Sequence, residues 1–392
     1  MRFRALFLFL AALTASPAFS ADPPPGTTTP DDIDPATGLA RSSVTRPLTD
    51  APQAPDARRA PAAPGQPPQP SRPHVALILP TKSPALGTLA ENVRQGFAAA
   101  AQAAGREAPP VTITELDNEQ AALVDACRTA QDTGALLIVG GMTRDGAALL
   151  ATSGCAQSPT LLLNEPPPGT QLPANVFSVS LSLEQEARQV ALLAVAEGRH
   201  IAVVIHSPSP LSRRVQEAFE REWTRAAGEV RGRLMFSGTA EDAPVVRERL
   251  AGVNADMVFM ALDPPEARAV RTYISGMLPV YATSMSINPR AEAIVNVDLQ
   301  GVRYVEMPWF IQPDHPAVMI YPPAKPGISV EHERLYAFGI DALRIGMVLL
   351  KGDRTAPIDG VTGRITLENH HFSRALGAAE VDGGRVIPLR AP

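Results

Sequence analysis

Cysteine, lysine and aromatic residues are all scarce in this 392-residue chain. Two cysteines, Cys127 and Cys155, cannot build a disulfide framework, and without a histidine cluster beside them they make no structural metal site. Phe, Trp and Tyr together make up 5% of the residues, too few for a sugar- or base-stacking platform. Only three of the thirty-five basic residues are lysines (Lys82, Lys325 and Lys351), and forty acidic residues leave a net charge of −5. A charge so small and so mixed gives no footing to a nucleic-acid partner. Long apolar runs are missing too, except one at the N-terminus, which excludes a membrane-embedded bundle.

That single run reads as an export signal. Arg2 and Arg4 precede the apolar stretch Ala5–Ala15, and Ala18-Phe19-Ser20 places small residues at a cleavage point. The run is short for an uncleaved membrane anchor, so residues 1–20 are expected to be removed and the protein to be exported and soluble, without stable membrane insertion. Residues 21–73 contain fourteen prolines, no aromatic residue, and only Ile33, Leu39, Val44 and Leu48 as larger aliphatics. Such a segment buries too little apolar area to offset its ordering entropy, so it is expected to be a disordered linker. A spacer is preferred over a docking motif.

At His74 the pattern turns globular. Val75–Leu79 is a continuous apolar run, as in a strand buried on both faces. Strand and helix patterns then alternate: strands at Val111–Leu116, Ala135–Val139 and Thr160–Leu163, helices at Glu119–Asp132 and Thr143–Cys155. After Val176–Val179 a second series begins with a capping box at Ser182-Leu183-Glu184-Gln185. This spacing predicts an α/β fold of two lobes, each a doubly wound, mainly parallel sheet, with a ligand cleft between them. The N-terminal lobe is assigned residues 74–180 and about 308–350, the C-terminal lobe residues 181–307 and about 351–392. Glu331–Leu350 is the strongest helix, and its face at Glu333 is taken as exposed. Gly363–Leu367 and Arg385–Leu389 are read as a hairpin around Asp382-Gly383.

The two cysteines sit in helices flanking the strand Ala135–Val139, in an exported chain. A Cys127–Cys155 disulfide is therefore expected, the other reading being two separate buried thiols. Catalytic patterns are absent from the sequence: no Gly-x-Ser-x-Gly elbow, no Ser-x-x-Lys, no His-Glu-x-x-His and no phosphate loop. The chain is thus read as no enzyme and as needing no cofactor. His370-His371 is not read as a metal site, since adjacent strand residues point to opposite faces. Candidate cleft residues are the polar groups at strand C-termini: Thr81, Ser83, Gly141, Thr143, Asn164, Ser207, Ser209, Asp263 and Ser284. Each suits hydrogen bonding to a small zwitterion or peptide, and each suits equally well a helix cap. The glycines of Gly140–Gly146 leave backbone N–H groups that could hold a carboxylate.

Three stretches carry a resemblance to a known family. Asp298–Trp309 resembles a "DL-x-G … P-W" segment, Arg334-Leu-Tyr-Ala-Phe-Gly-Ile-Asp-Ala an "R-[LF]-x-A-[LF]-G-x-D-A" helix, and Gly360–Leu367 a "G-x-x-G-x-[LI]" strand. Residues 74–392 resemble the penicillin-binding-protein activator (LppC/LpoA) family, of the type I periplasmic binding-protein fold. The resemblance implies a non-catalytic periplasmic protein that regulates peptidoglycan synthesis by contact with a synthase. The chain departs from the family in lacking a lipidated cysteine and in having the proline-rich segment in place of a helical-repeat domain. The alternative is a substrate-binding receptor of an ABC transporter, taking an amino acid or short peptide.

Overall fold

The computed structural model describes residues 72–389 apart from residues 156, 240, 275 and 353. The expected signal peptide and nearly all of the expected linker lie outside the described residues. The first series is β1 (His74–Leu79), α1 (Gly87–Ala104), β2 (Val111–Glu115), α2 (Glu119–Asp132), β3 (Ala135–Gly140), α3 (Arg144–Thr152), β4 (Thr160–Leu162) and β5 (Val176–Val179). The second is α4 (Leu183–Ala196), β6 (Ile201–His206), α5 (Pro210–Arg225), β7 (Glu229–Met235), α6 (Asp242–Ala251), β8 (Met257–Ala261), α7 (Pro264–Ile274), β9 (Val280–Ala282), α8 (Ala293–Asn296) and β10 (Val302–Glu306). Two short turns of helix, α9 (Pro308–Ile311) and α10 (Pro316–Met319), lead to the long α11 (Val330–Lys351). Five strands end the chain: β11 (Ile358–Gly360), β12 (Gly363–Glu368), β13 (His371–Ala375), β14 (Gly377–Asp382) and β15 (Arg385–Pro388).

The caps are local in origin. Asn118, Thr143, Ser182, Ser209 and Ser329 each accept a backbone N–H from the first turn of the helix that follows. Gly352 ends α11 in the left-handed conformation that glycine adopts without strain.

Two mixed sheets result. Their orders are β11-β12-β13-β5-β4-β3-β1-β2 and β15-β14-β10-β9-β8-β6-β7. In each, the first strand of a series lies between the second and third, and β2-β1-β3-β4-β5 and β7-β6-β8-β9-β10 are parallel throughout. This doubly wound order puts a crevice at the C-terminal ends of β1/β3 and of β6/β8, where the winding reverses.

The tail corrects the sequence reading. The expected pairing of Gly363–Leu367 with Arg385–Leu389 is not made: β12 pairs with β11 and β13, and β15 pairs with β14. Residues 358–375 thus join the first sheet, and only 377–388 extend the second, so the assignment of about 351–392 to the C-terminal lobe is corrected for β11–β13. The signal that was missed is the β12–β13 turn, where Asn369 and His370 take positive φ (46° and 69°) without a glycine to mark it.

α11 runs along α1 and against β3 and β11, on the first sheet. The two helices touch backbone to backbone at Gly96 and Gly339. A Cβ on Gly96 would fall on the Tyr336 carbonyl, and one on Gly339 on the Val93 carbonyl. On the outer face of the first sheet Cys127 and Cys155 form the expected disulfide, with Cα atoms 5.9 Å apart. It ties α2 to the end of α3 across a separation of 28 residues, worth roughly 3–4 kcal/mol in the chain-entropy picture.

Candidate functional site

At the β1/β3 crevice the loop Gly140–Gly146 curls around a carboxylate, and the carboxylate is the chain's own. Glu119, the first residue of α2 and almost fully buried, accepts the Met142 N–H at 2.6 Å, the Thr143 N–H at 3.0 Å and the Thr143 hydroxyl at 2.5 Å. Thr143 Oγ1 in turn caps α3 by accepting the Gly146 N–H at 2.9 Å. Gly141 turns the loop with φ 70°, and a Cβ on Gly146 would collide with the Glu119 carboxylate. The anion position at the start of α3 is therefore filled from within.

The remaining first-series candidates are spent in the same way. Thr81 donates to Glu115 at 3.1 Å, and Ser83 accepts the Leu86 N–H at 3.4 Å. Asn164 donates to the Met142 carbonyl at 2.9 Å and accepts the Glu165 N–H at 2.9 Å.

Across the β6/β8 crevice, Ser207 gives its N–H to Ser212 Oγ, whose hydroxyl donates to the Ala261 carbonyl. Ser209 caps α5. Asp263 and Glu266 close a reciprocal capping box, with Asp263 Oδ1 accepting the Glu266 N–H at 2.9 Å and Glu266 Oε2 the Asp263 N–H at 3.1 Å. Burial raises the Glu266 carboxyl above its ordinary range.

The nine sequence-picked residues thus lie at the strand ends, but their polar groups serve caps and loops. The two series meet at a small cleft of about 180 Å³, where Glu184 takes Arg144 from α3 at 3.4 Å and Arg214 from α5 at 2.9 Å.

Of the nine, Ser83 and Thr143 border a cavity of about 480 Å³, and Ser284 borders one of about 600 Å³ beside residues the sequence reading missed. Its N–H donates to Glu186 at 3.0 Å, a carboxylate buried on α4. Arg334, with 11% of its side chain exposed near the start of α11, makes a two-pronged ion pair with the fully buried Glu306. The positions of these charges were invisible in spacing, because 148 residues separate Glu186 from Arg334.

The three motif stretches converge here. Asp341 accepts the N–H groups of Val361 and Thr362, at 3.1 and 2.7 Å, and the Thr362 hydroxyl at 2.7 Å. Gly360 and Gly363 keep that turn closed around it, and Trp309 donates its N–H to the Val361 carbonyl at 3.0 Å. Glu333, expected on an exposed face, is instead 12% exposed in its side chain and holds Arg290 and the Trp309 indole N–H.

One further constellation has the residue types of a hydrolytic relay. Ser178 Oγ lies 3.0 Å from His371 Nδ1, and His371 Nε2 lies 3.3 Å from Glu165. Yet Ser178 is 2% exposed on β5 between two paired strands, whereas a nucleophile must face its substrate. Gln185 also holds His371 Nε2, and burial lowers the His371 pKa below the ordinary value. The fold favours neutral His371, so the unfolded chain binds the proton more readily. Stability is expected to be full above pH ~6.5 and to fall as the pH drops below it. Urea midpoints between pH 7.5 and 5.5 measure this, and His371→Gln should flatten the slope; an unchanged slope refutes the assignment.

His370 Nδ1 lies 3.0 Å from the Val176 carbonyl, in the turn rather than on a strand. Among the described residues no group of three His, Cys, Asp or Glu could hold a metal, and no helix is long and apolar enough to cross a membrane.

Comparisons with known proteins follow the same outline. "Penicillin-binding protein activator LpoA" of Edwardsiella ictaluri is 24% identical over 325 residues, covering 72% of this chain and 47% of its own length. Its counterpart in Photobacterium profundum is 23% identical, with coverages of 76% and 53%. The chain spans about half the length of the curated relatives it matches. Among solved structures, a "putative branched-chain amino acid ABC transporter" from Chromobacterium violaceum superposes with a TM-score of 0.70 at 33% identity, covering 78% of this chain and 99% of that one. The LpoA C-domain from Haemophilus influenzae, described as "a regulator of PBP1A", gives 0.68 at 21% identity, covering 81% and 100%. These likenesses show the two-sheet fold of the branched-chain amino-acid binding proteins and of LpoA. The family model described as "LppC putative lipoprotein" matches residues 43–236 and 246–381, with the folded series and the motif knot around α11 inside it, and the chain belongs to that LppC family.

Proposed function

We propose that this chain is a non-catalytic activator of a peptidoglycan synthase, acting in the periplasm by protein–protein contact. The observation that carries the reading is the family match, which spans both sheets and the motif helix. The Haemophilus LpoA C-domain, covered over its full length, is the part of LpoA that this chain parallels. The strand-end crevices support it as well. Both have their polar groups satisfied by Glu119, Ser212 and Glu266, an arrangement suited to a scaffold that works through its outer surface. Residues 1–20, read as an export signal, fit the same compartment. The lobes are taken as 74–180 with α11 and β11–β13, and 181–307 with β14 and β15.

Purified full-length chain is expected to raise the glycan-polymerising or crosslinking rate of a bifunctional penicillin-binding protein and to show no turnover alone. The chain is acidic, so part of the contact is electrostatic. Binding should weaken toward 0.5 M salt, where the screening length falls to roughly 4 Å. No effect on the synthase, together with tight calorimetric binding of a free amino acid, would transfer the case to a transport receptor. That second reading draws on the 33% identity to the Chromobacterium protein.

A further inference from the structure

Beyond the capped crevices, where the ends of β6, β8 and β9 approach α11, a cavity of about 600 Å³ opens between α4, α7, the turn at 284–288 and the first turns of α11. Its volume falls inside the roughly 300–1,000 Å³ of ordinary ligand pockets. The walls are aliphatic, with Leu183, Leu211, Ile287, Met307, Val330 and Leu335, and no aromatic side chain lines them.

Two carboxylates border this space, Glu331 at its exposed rim and Glu186 buried within it. Glu186 is 3% exposed, and its Oε2 accepts the Ser284 N–H at 3.0 Å. Among the described residues nothing donates to its Oε1. The nearest guanidinium, Arg334, spends both Nη groups on Glu306. A carboxylate in an apolar cavity with one oxygen unserved is costly, and a cation bearing N–H donors is the group that satisfies it. A second polar handle lies on α7, where Arg268 makes no ion pair among the described residues, and Asn288 adds an amide. A plain alkyl chain would leave both unused. A peptide's own amides and carboxylate would not.

We propose that this cavity binds the free amino end of a short aliphatic peptide, with the ammonium on Glu186 and the side chains against the leucine, isoleucine and methionine wall. The site stands apart from the synthase reading, since an activator and a receptor could each carry it. Burial pushes the Glu186 carboxyl up, while Arg334, Arg374 and the Ser284 N–H pull it down and Glu306 pushes it up further. A bound ammonium adds to the downward pull, so affinity should rise with pH as Glu186 ionises.

The test is calorimetry on the full chain with tri-leucine and N-acetyl-tri-leucine. Tri-leucine is expected to bind saturably at pH 7 and the acetylated peptide at least tenfold more weakly. Glu186→Gln keeps an oxygen for the Ser284 N–H and should erase that tenfold preference. Leu335→Trp, which fills the cavity from α11, should abolish binding of both peptides. Thermal unfolding of each variant reports that the fold is intact. If Glu186→Gln does not fold, the acetyl comparison and Leu335→Trp decide the matter. Equal affinity for the two peptides, an undiminished preference in folded Glu186→Gln, or no saturable binding of tri-leucine overturns the proposal.

Discussion

Glu306→Ala is expected to cost about 3–5 kcal/mol of folding stability, as removal of one member of a buried ion pair does. Glu306 has no exposed side-chain surface, and Arg334 keeps 11% of its own. Two charge-assisted bonds join them, with Arg334 Nη2 2.8 Å from Glu306 Oε2, and the guanidinium also lies over Phe310, 4.9 Å from the ring centre. Alanine at 306 leaves that guanidinium buried with its partner gone. Burial alone lowers an arginine's pKa, but the Glu306 carboxylate outweighs it here and holds the Arg334 guanidinium well above its ordinary value. The double variant Glu306→Leu/Arg334→Met removes both charges and should be far milder than Glu306→Ala. Urea unfolding of the two variants checks this. A loss under 1 kcal/mol in Glu306→Ala, or a double variant as unstable as the single one, would refute the assignment of this pair as the anchor of α11.

Much of the fold was legible because its core strands are buried on both faces. Val75–Leu79 and Val203–Ile205 read as unbroken apolar runs, and the caps at Ser182, Ser209 and Asp263 announce the helices behind them. β7 was harder. It runs from Glu229 to Met235 as an edge strand whose alternate positions carry Arg231 and Arg233. Edge strands read as polar, and their start is hidden. β11, β13 and β14 went unread, and β12 was given the wrong partner, because the turn at Asn369-His370 bends without glycine.

The site divides along a different line. Polar residues at strand ends were located correctly, but whether a hydroxyl serves a ligand or a cap depends on what stands opposite it. For Thr143 that is Glu119, 24 residues earlier, and no local pattern connects a helix's first residue to a loop across the sheet. Glu186 likewise becomes notable only once the turn at Ser284 arrives above it, 98 residues on. Local chemistry was readable, and long-range pairing of single charges was not.

Gly339→Val is expected to separate α1 from α11 and to cost at least about 3 kcal/mol. Added bulk in a packed core ordinarily costs about 1–3 kcal/mol, because side chains yield. Here the obstacle is backbone: a Cβ on Gly339 would meet the Val93 carbonyl and the Phe97 amide nitrogen at 2.9 Å, and neither can rotate away. Gly96 makes the same demand from the other helix, so the crossing is set by two glycines rather than by side-chain complementarity. The β-branch adds a helix-propensity penalty only against alanine, since glycine is itself a poor helix former. Gly339→Ala therefore isolates the steric part. It should destabilise although alanine favours helices, and Gly352→Ala, where a Cβ meets nothing within 4 Å but φ is 75°, supplies a control in which only backbone strain acts. Separation of the helices would also pull Arg334 and Asp341 from Glu306 and the Val361-Thr362 turn, which lie on the same helix within five residues of Gly339. Unfolding of Gly339→Val should accordingly lose cooperativity as well as midpoint, with a shallower urea transition than the parent. A midpoint within 0.5 M of the parent and an unchanged slope would mean that the crossing has slack that the backbone contacts do not show.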